Sequence, residues 1–359
     1  MKRLDELLAS GVSDRVFPLA RAEVFYEGRR VFSGGNARED TVFDIASVTK
    51  VMCTTALCLE LNLFGPLRRW LPSAAVDVDT LDLLFHRSGL PPFLQYFEQE
   101  MKAHPELFDA DCPVRIREAV RFSVLSRVLE TRPEARPGEK AIYSDIGFIL
   151  LGAALEAASG RSLDELFAER IAEPLGLSAH FRRLSRALPL PDSLADTGAT
   201  RPREHAPGQE GTWDVPLRPG RRGEVDDDNA WCLEGVSGHA GLFATAHDVA
   251  TFGQAVLAGD FIPPVPWHRD ATTPGSTRAC GFDTPGDDAP SCGPRFGKKG
   301  PRGAIGHLGF TGTSLWIDFD RQLVVALLTN RVALGRANLK IRDFRPRFHE
   351  AVLDALSLA

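Results

Sequence analysis

The pattern of hydrophobic and polar positions changes its period along the chain, and each period predicts a different element. Residues 22–33 read as two short strands joined by a glutamate-glycine turn, which predicts a β-hairpin. Residues 323–328, with the sequence LVVALL, have the length and continuity of a buried strand. The segment 306–319 reads as a strand with a glycine-rich start, where a substrate backbone could approach closely. We expect the strands around 312–329 to pair near the N-terminal hairpin in one antiparallel sheet.

Helical patterns dominate the middle of the chain. The predicted helices cover residues 51–61, 113–128, 146–159 and 163–171. A last helix is expected to follow Pro346, since proline suits a first helical turn. Residues 186–230 and 260–304 are rich in proline, glycine, arginine and aspartate. We expect long loops there, and such loops in a compact enzyme often border the active site.

These elements predict an α+β fold of two lobes, in which an antiparallel sheet flanked by helices adjoins a mostly helical lobe. We expect residues 1–70 and 236–359 to form the sheet lobe, which is discontinuous in sequence. Residues 71–235 then form the helical lobe with its long loops, and the active site lies between the two. A length of 359 residues and a hydrophobic content of 43% agree with roughly two domains, each with its own core.

Charge and cysteine content narrow the class of protein. The net charge of −6 gives no support to binding of nucleic acid or of an anionic membrane surface. The six cysteines have neither the spacing of a zinc site nor that of a disulfide framework, so we expect reduced, mostly buried thiols. Residues 1–8 are amphipathic with no long apolar core after them, and no run is long enough to span a bilayer. We expect a cytoplasmic protein without a membrane or nucleic-acid partner, and its oligomeric state stays open.

Ser47-Val48-Thr49-Lys50 is the only Ser-x-x-Lys in the chain. A serine in the first turn of a helix has a lysine three residues on over the same face. The positive N-terminus of the helix favours a developing alkoxide. A lysine kept neutral by burial could take the hydroxyl proton. Because the motif also occurs by chance, a capping serine followed by an exposed lysine is the open alternative.

Two later segments have the character of an active site. In the first, a proline-glycine turn at 137–138 leads into Tyr143 and Asp145, and an apolar helix follows. In the second, His307-Leu308-Gly309 opens the glycine-rich segment. With the three segments in this order, the chain resembles the penicillin-recognising serine hydrolases, which include class C β-lactamases, DD-peptidases, D-aminopeptidases and family VIII carboxylesterases.

The resemblance covers nearly the whole chain, since 84–91 (LFHRSGLP) and 235–246 (GVSGHAGLFATA) are similar to two further segments of that family. It implies a β-lactamase/transpeptidase-like fold and a role for each motif residue. Ser47 resembles the acylated nucleophile, Lys50 the group that activates it, and Tyr143 the second general base, which returns a proton to the leaving group. The backbone N–H groups of Ser47 and Phe310 would form the oxyanion hole, the latter on an edge strand lining the cleft.

The chain departs from the family pattern at two substrate-binding positions. Asp145 stands where asparagine is usual, and an ionised carboxylate accepts hydrogen bonds but donates none. It could hold Lys50 charged, but it cannot donate to a substrate amide. His307 and Leu308 stand where Lys-Thr is usual before Gly309, the third residue of the motif and the other expected substrate contact. The cleft would then lack a fixed cation for a substrate carboxylate.

We therefore predict a serine hydrolase that forms an acyl-enzyme and favour a carboxylesterase acting on small esters. A D-amino-acid peptidase or weak β-lactamase is the alternative, and a catalytically silent penicillin-binding-like module is the non-enzyme alternative. No cofactor is expected.

Other candidate groups carry less weight. The segment 235–239 begins like a nucleophile elbow, but His239 stands where the second glycine should be, so Ser237 is expected in a tight turn near the cleft. The acidic run 226–228 fits no calcium loop. His86 and His239 have no metal-ligand spacing and are expected to make structural hydrogen bonds, so no metal site is predicted.

Overall fold

A computed structural model describes residues 1–186, 189–197, 221–259, 268–287 and 290–358. Its strands are β1 (Ala20–Tyr26), β2 (Arg29–Gly35), β3 (Phe43–Asp44), β4 (His180–Phe181), β5 (Leu242–Ala244), β6 (Arg278–Ala279), β7 (Phe282–Asp283), β8 (Ala304–Leu308), β9 (Ser314–Asp318) and β10 (Leu323–Thr329). Its α-helices are α1 (Lys2–Ser13), α2 (Ala56–Glu60), α3 (Thr80–Leu84), α4 (Tyr96–Ala103), α5 (Val114–Leu129), α6 (Asp145–Ser159), α7 (Leu163–Phe167), α8 (Glu173–Leu175), α9 (Asp228–Cys232), α10 (Ala246–Ala258) and α11 (Ile341–Ala355). The π-helical turns are Lys50–Thr55 and Ala168–Ala172, and the 3-10 turns are Leu67–Arg69, Pro105–Phe108 and Arg331–Leu334.

A seven-stranded antiparallel sheet joins the two ends of the chain, in the order β2-β1-β10-β9-β8-β7-β6. β1 pairs with β10 along its whole length, from Ala20 opposite Thr329 to Tyr26 opposite Leu323. In the turn between β1 and β2, Glu27 and Gly28 both have positive φ, as a tight hairpin turn of this kind requires. The prediction of one antiparallel sheet built from both chain ends is confirmed.

Both faces of this sheet are buried, and β10 shows how. Leu323, Val325 and Leu327 pack into the core shared with α1 and α11. The alternate residues of the strand belong to the larger core on the opposite face, where α10 packs. Because side chains alternate across a strand, a continuous apolar run supplies both cores at once.

The helical part of the chain packs around α6, which contacts α3, α5 and the π-helical turn that begins at Lys50. A small three-stranded sheet, β3-β5-β4, runs beside the segment that leads to Ser47. In the described chain, the strands of the large sheet come from 20–35 and 278–329, and α3 to α9 come from 80–232. The domain boundaries at 70/71 and 235/236 stay a prediction.

Three local expectations are wrong. The segment 306–319 is a hairpin of β8 and β9, because residues 309–312 turn the chain at Gly312, whose φ is 102°. The hairpin of β6 and β7 extends the sheet beyond β8, so β8 is not an edge strand. Helix α11 begins at Ile341, because Ile341 and Phe344 extend its apolar face, and Pro346 lies inside the helix.

All six cysteines are buried and free, as expected. No single helix in the described ranges is long and apolar enough to cross a membrane. Helix α6 and the segment Leu163–Leu175 meet at a bend of 80°, and only together do they have the length and composition of a membrane span. Of the predicted loops, residues 187–188, 198–220, 260–267 and 288–289 lie outside the described residues.

Candidate active site

Ser47 lies at the start of a helical stretch that continues through the π-helical turn into α2, and it lines a cavity of about 570 Å³. Ala46 before it has a positive φ of 48°, which a residue with a side chain adopts only where its surroundings impose it. The Asp44 carboxylate accepts a hydrogen bond from the Ala46 N–H at 2.8 Å and so supports the bend. The chain therefore enters the helix at Ser47 through a sharp turn.

Lys50 is completely buried, and oxygen atoms surround its ammonium group. Nζ donates to the Ser47 hydroxyl at 2.9 Å and to the His239 carbonyl at 3.2 Å, and it lies 2.7 Å from the Asp145 carboxylate. Burial alone would lower the pKa of Lys50, but the charge of Asp145 and the interaction with Tyr143 raise it above its usual value. The raised pKa favours the charged form of Lys50, as the sequence allows for a lysine beside Asp145.

Tyr143 is enclosed by cationic and imidazole side chains. Lys50 Nζ lies 4.8 Å from the centroid of its ring, and the guanidinium carbon of Arg278 lies 5.0 Å from the same point. The rings of His86 and His307 have their centroids 4.7 Å and 5.9 Å from that of Tyr143. The fold thus brings the tyrosine of the second motif beside the lysine of the first and the histidine of the third.

The two histidines beside Tyr143 are neutral. Burial lowers the pKa of each well below its usual value, and the charges of Lys50 and Arg278 act in the same direction. His86 Nδ1 accepts a hydrogen bond from the Ser144 N–H at 3.0 Å, whereas His307 Nδ1 donates to the Leu308 carbonyl at 2.9 Å. The His307 Nε2 is therefore a lone-pair acceptor, and within the described chain it has no hydrogen-bond partner.

Ser47 and Phe310 both line the cavity, and their backbone N–H groups are the candidates for the oxyanion hole. Neither donates to another group in the described part of the chain, so both are available for a substrate oxygen. Phe310 lies in the turn between β8 and β9, and not on the expected edge strand. The hydroxyls of Thr311 and Thr313 donate to the carbonyls of residues 44 and 45, which fastens this turn to the segment before Ser47.

Gly309 permits this close approach. A Cβ atom at position 309 would lie 1.9 Å from the Thr313 hydroxyl oxygen and 2.4 Å from the Ile45 carbonyl oxygen. On the other side, the Arg345 guanidinium donates to the carbonyls of Gly309 and Thr313 at 2.7 Å and 2.8 Å. The role of Gly309 is thus to let the backbone pass, and any substrate contact is through its main chain.

Arginines line the cavity, and none of them is predicted from the sequence. They are Arg278, Arg331, Arg336, Arg342 and Arg345. Arg336 is paired with Asp226 and Asp228 at 3.3 Å and 2.8 Å. Arg331 and Arg345 donate to backbone carbonyls. Arg342 is exposed and has no ion pair within the described ranges. The expectation that the cleft lacks a fixed cation is therefore wrong.

His239 links Ser237 to Asp227 in a buried chain of hydrogen bonds. His239 Nδ1 lies 2.8 Å from the Ser237 hydroxyl, and Nε2 lies 2.9 Å from the Asp227 carboxylate. Ser237 is buried and is not part of the lining of the cavity, so it is not placed as a nucleophile. His86 and His239 both make the structural hydrogen bonds expected of them.

Asp145, Asp227 and His239 each place one ligand atom within 4.8 Å of the others, so they are the residues that could hold a metal ion in the described chain. All three already have polar partners. Lys50 supplies a positive charge 2.7 Å from Asp145, and His239 contacts Asp227. Asp145 thus faces an ammonium group, and Asp227 faces an imidazole ring.

Known proteins are similar to this chain over most of its length. The family model described as Beta-lactamase matches residues 4–345. A Salmonella agona protein named "Putative D-alanyl-D-alanine carboxypeptidase" is 28% identical over 333 residues, covering 85% of this chain and 73% of that protein.

Solved structures share the fold. EstCE1, described as a hydrolase with promiscuous acyltransferase activity, superposes with a TM-score of 0.67 at 20% identity and covers 96% of this chain and 98% of its own. The octameric penicillin-binding protein homologue from Pyrococcus abyssi has the same TM-score at 18% identity and covers 99% of this chain and 77% of its own. These likenesses establish a β-lactamase/transpeptidase-like fold.

Proposed function

Because the chain belongs to the β-lactamase family and is a serine hydrolase, we propose that it is a carboxylesterase that cleaves small esters through an acyl-enzyme on Ser47. The observation that carries the proposal is the ion pair of Lys50 and Asp145 at 2.7 Å, beside the Ser47 hydroxyl. An ionised Asp145 has no hydrogen to donate to the carbonyl of a substrate amide. An ester needs less from the site, since its leaving group is better and the oxyanion hole supplies most of the stabilisation.

In the proposed reaction, Tyr143 acts as the base, because Lys50 is already charged and donates to the Ser47 oxygen. As a phenolate, Tyr143 takes the hydroxyl proton while Ser47 Oγ forms a bond to the ester carbonyl carbon. The N–H groups of Ser47 and Phe310 bind the resulting oxyanion. When the tetrahedral intermediate collapses, the carbon–oxygen bond to the alcohol breaks, and the alcohol oxygen takes the proton from Tyr143.

Deacylation repeats these transfers with water. Tyr143 takes a proton from the water molecule as its oxygen bonds to the acyl carbon. The bond to Ser47 Oγ then breaks, and Oγ receives the proton from Tyr143 as the carboxylic acid leaves. EstCE1, described as a hydrolase with acyltransferase activity, supports acyl transfer as the chemistry of the fold.

A D-alanyl peptidase is the second candidate, and Arg342 is the observation that favours it. This exposed arginine lines the cavity without an ion pair in the described chain, so it would bind a terminal carboxylate. The name of the Salmonella agona relative points the same way. The other lining arginines support this candidate less, because Arg336 is held by carboxylates, and Arg331 and Arg345 by backbone carbonyls.

We also propose a cytoplasmic enzyme without nucleic-acid, membrane or cofactor partners. Six free, buried cysteines support a reducing compartment. The net charge of −6 gives no support to binding of nucleic acid or of an anionic membrane surface.

A substrate panel tests the proposed activity. The purified protein is assayed with a short-chain aryl ester, a D-alanyl-D-alanine peptide and a chromogenic cephalosporin, with Ser47→Ala as the control for background hydrolysis. We expect the largest kcat/KM for the ester. Faster cleavage of the peptide, together with its loss in Arg342→Gln, would establish the peptidase instead, and faster cleavage of the cephalosporin a β-lactamase. Binding of the cephalosporin without turnover of any substrate would indicate the silent module.

A further inference from the structure

Arg278 is held against Tyr143 by a hairpin that reaches across from the sheet to the helical lobe. It lies on β6, the outermost strand, and its guanidinium carbon is 5.0 Å from the centroid of the Tyr143 ring. The Gly281 N–H in the next turn donates to the Leu84 carbonyl at 2.8 Å. Gly281 also packs against Thr55 so closely that a Cβ would lie 2.0 Å from the Thr55 hydroxyl oxygen. These contacts fasten the hairpin that carries Arg278 to Leu84 and Thr55.

The charges around Tyr143 come from several elements, and most are already balanced. Some titratable or charged groups face Tyr143, and others lie directly behind these. Together they are Lys50, His86, Asp145, Asp227, His239, Arg278 and His307. His86 and His307 are neutral, because burial lowers the pKa of each well below its usual value. The charge of Lys50 is balanced by Asp145 at 2.7 Å. Of the two cations whose positions over the Tyr143 ring the structure describes, Arg278 has the longer ion pair, 3.5 Å to Asp283 against 2.7 Å for Lys50 and Asp145.

The counter-ion of Arg278 is weakly engaged. Asp283 on β7 lies 3.5 Å from the nearest guanidinium nitrogen. The same carboxylate oxygen accepts a hydrogen bond from the Thr277 hydroxyl at 2.7 Å, which disperses part of its charge. The guanidinium is therefore only partly neutralised by Asp283. A cation within about 6 Å of an aromatic centroid is attracted to the π-face, and a phenolate attracts it more strongly.

We propose that Arg278 is a positioning residue that acts through Tyr143, by stabilising negative charge on the phenolic oxygen before it takes the proton from Ser47. The proposal rests on the proposed function, in which Tyr143 is the base. When the phenolate takes the Ser47 proton, its charge passes to the carbonyl oxygen of the substrate, and it returns when the leaving group takes the proton. Arg278 stabilises the charge-bearing state of Tyr143 at both ends of this cycle.

The pH dependence of Ser47 labelling tests the inference without reference to the substrate. The rate of labelling by an activated phosphonate is measured from pH 5 to pH 10 for the wild type, Arg278→Gln, Arg278→Lys and Asp283→Asn. An opposite charge at this distance typically moves a titration by one unit or more. We expect Arg278→Gln to move the acid-side midpoint about one pH unit upward, and thus to slow labelling about tenfold below the midpoint. Arg278→Lys restores most of the rate, and Asp283→Asn moves the midpoint downward.

A matched control separates this effect from a general loss of structure. The guanidinium carbon of Arg302 lies 5.3 Å from the centroid of the Phe319 ring, and neither residue lines the cavity. Arg302→Gln therefore removes a comparable cation–aromatic pair and should leave the pH profile unchanged. If the Arg278→Gln profile keeps its midpoint, or if the variant changes only KM for a substrate, the inference is wrong. Absence of esterase activity in the wild type would refute the ester proposal alone, because the labelling rate still reports on Tyr143.

Discussion

Lys50 and Asp145 form a buried ion pair in which Nζ lies 2.7 Å from the carboxylate, and the same nitrogen donates to the Ser47 hydroxyl at 2.9 Å. One residue of the second motif thus sets the charge of the lysine of the first. A lysine held in the charged form can orient the serine and stabilise negative charge, but it cannot accept the serine proton. In the proposed reaction, this contact is the reason that Tyr143, and not Lys50, takes the role of base.

Replacing Asp145 tests that relationship. Asp145→Asn removes the charge that raises the pKa of Lys50 and adds an amide N–H that can donate to a substrate carbonyl. We expect kcat/KM for a D-alanyl peptide, relative to kcat/KM for an aryl ester, to rise roughly tenfold. This change corresponds to the free energy of about one hydrogen bond. Asp145→Ala removes the charge without adding a donor and is the matched control. Equal ratios in the two variants would show that the amide donor is not the cause.

Ser47 is predicted to be the nucleophile. Ser47→Ala removes only the hydroxyl, so the helical start and the thermal melting curve should be preserved while turnover and covalent labelling by an activated phosphonate are lost. Mass spectrometry of the labelled protein locates the adduct. Ser237→Ala is the matched control, since Ser237 is buried away from the cavity and its removal should leave the labelling of Ser47 in place. An adduct on Ser237, or labelling of Ser47→Ala at the wild-type rate, would contradict the prediction.

Tyr143→Phe separates packing from proton transfer. The ring keeps its contacts with His86 and His307, but the hydroxyl that would move the proton is absent. We expect kcat for an aryl ester to fall at least about 100-fold, the usual scale for a positioned acid–base group. Tyr96→Phe removes a buried tyrosine hydroxyl that contacts Thr131 elsewhere and serves as the control. A nearly normal kcat in Tyr143→Phe would return the role of base to another group.

Local sequence spacing was sufficient to find part of this site. Ser47 and Lys50 are three residues apart in one helical stretch, so their proximity follows from helix geometry alone. The pairing of β1 with β10 followed from two apolar runs of strand length at opposite ends of the chain. The joining of Tyr143 and His307 to this pair required the family resemblance, because nothing local relates segments that are so far apart in sequence.

Arg278 shows why the remainder could not be predicted. Its position depends on the turn after β6, which is fastened to the helical lobe at Leu84, more than 190 residues away in sequence. The raised pKa of Lys50 likewise depends on the balance between burial and the charge of Asp145, and the sequence specifies neither the burial nor the distance. Pro346 gave a misleading start for α11, because the burial of Ile341 and Phe344 outweighs one lost hydrogen bond.

Gly309→Ala is expected to damage the site through the backbone. The added Cβ would lie 1.9 Å from the Thr313 hydroxyl and 2.4 Å from the Ile45 carbonyl, so the turn that carries Phe310 must move away from Ser47. We expect kcat to fall by at least about 100-fold, the effect of losing one oxyanion-hole donor. The control is Gly147→Ala, since Gly147 lies in α6 without a positive φ and the nearest atom to an added Cβ would be Leu83 Cδ2 at 3.4 Å, an ordinary contact. Wild-type kcat in Gly309→Ala would show that the turn is not part of the oxyanion hole.

The last prediction concerns stability as a function of pH. His349 is completely buried in α11, and burial lowers its pKa from 6.5 to about 4. The unfolded chain therefore binds a proton between pH 6.5 and 4 that the folded chain does not, and the free energy of unfolding decreases as pH falls through this window. One such proton contributes about 1.4 kcal/mol per pH unit. His349→Phe keeps a ring beside Phe296 and Phe348, and it should reduce the slope of stability against pH by close to this amount.

Urea unfolding at pH 7.5, 6.0 and 5.0 measures the slope for the wild type and for His349→Phe. His86 and His307 add to the slope in both proteins, because burial also lowers the pKa of each, so the difference between the two proteins isolates His349. Loss of the hydrogen bond from His349 to the Arg345 carbonyl will lower stability at every pH, but it does not alter the slope. Parallel slopes for His349→Phe and the wild type would mean that the folded protein accepts this proton as readily as the unfolded chain does.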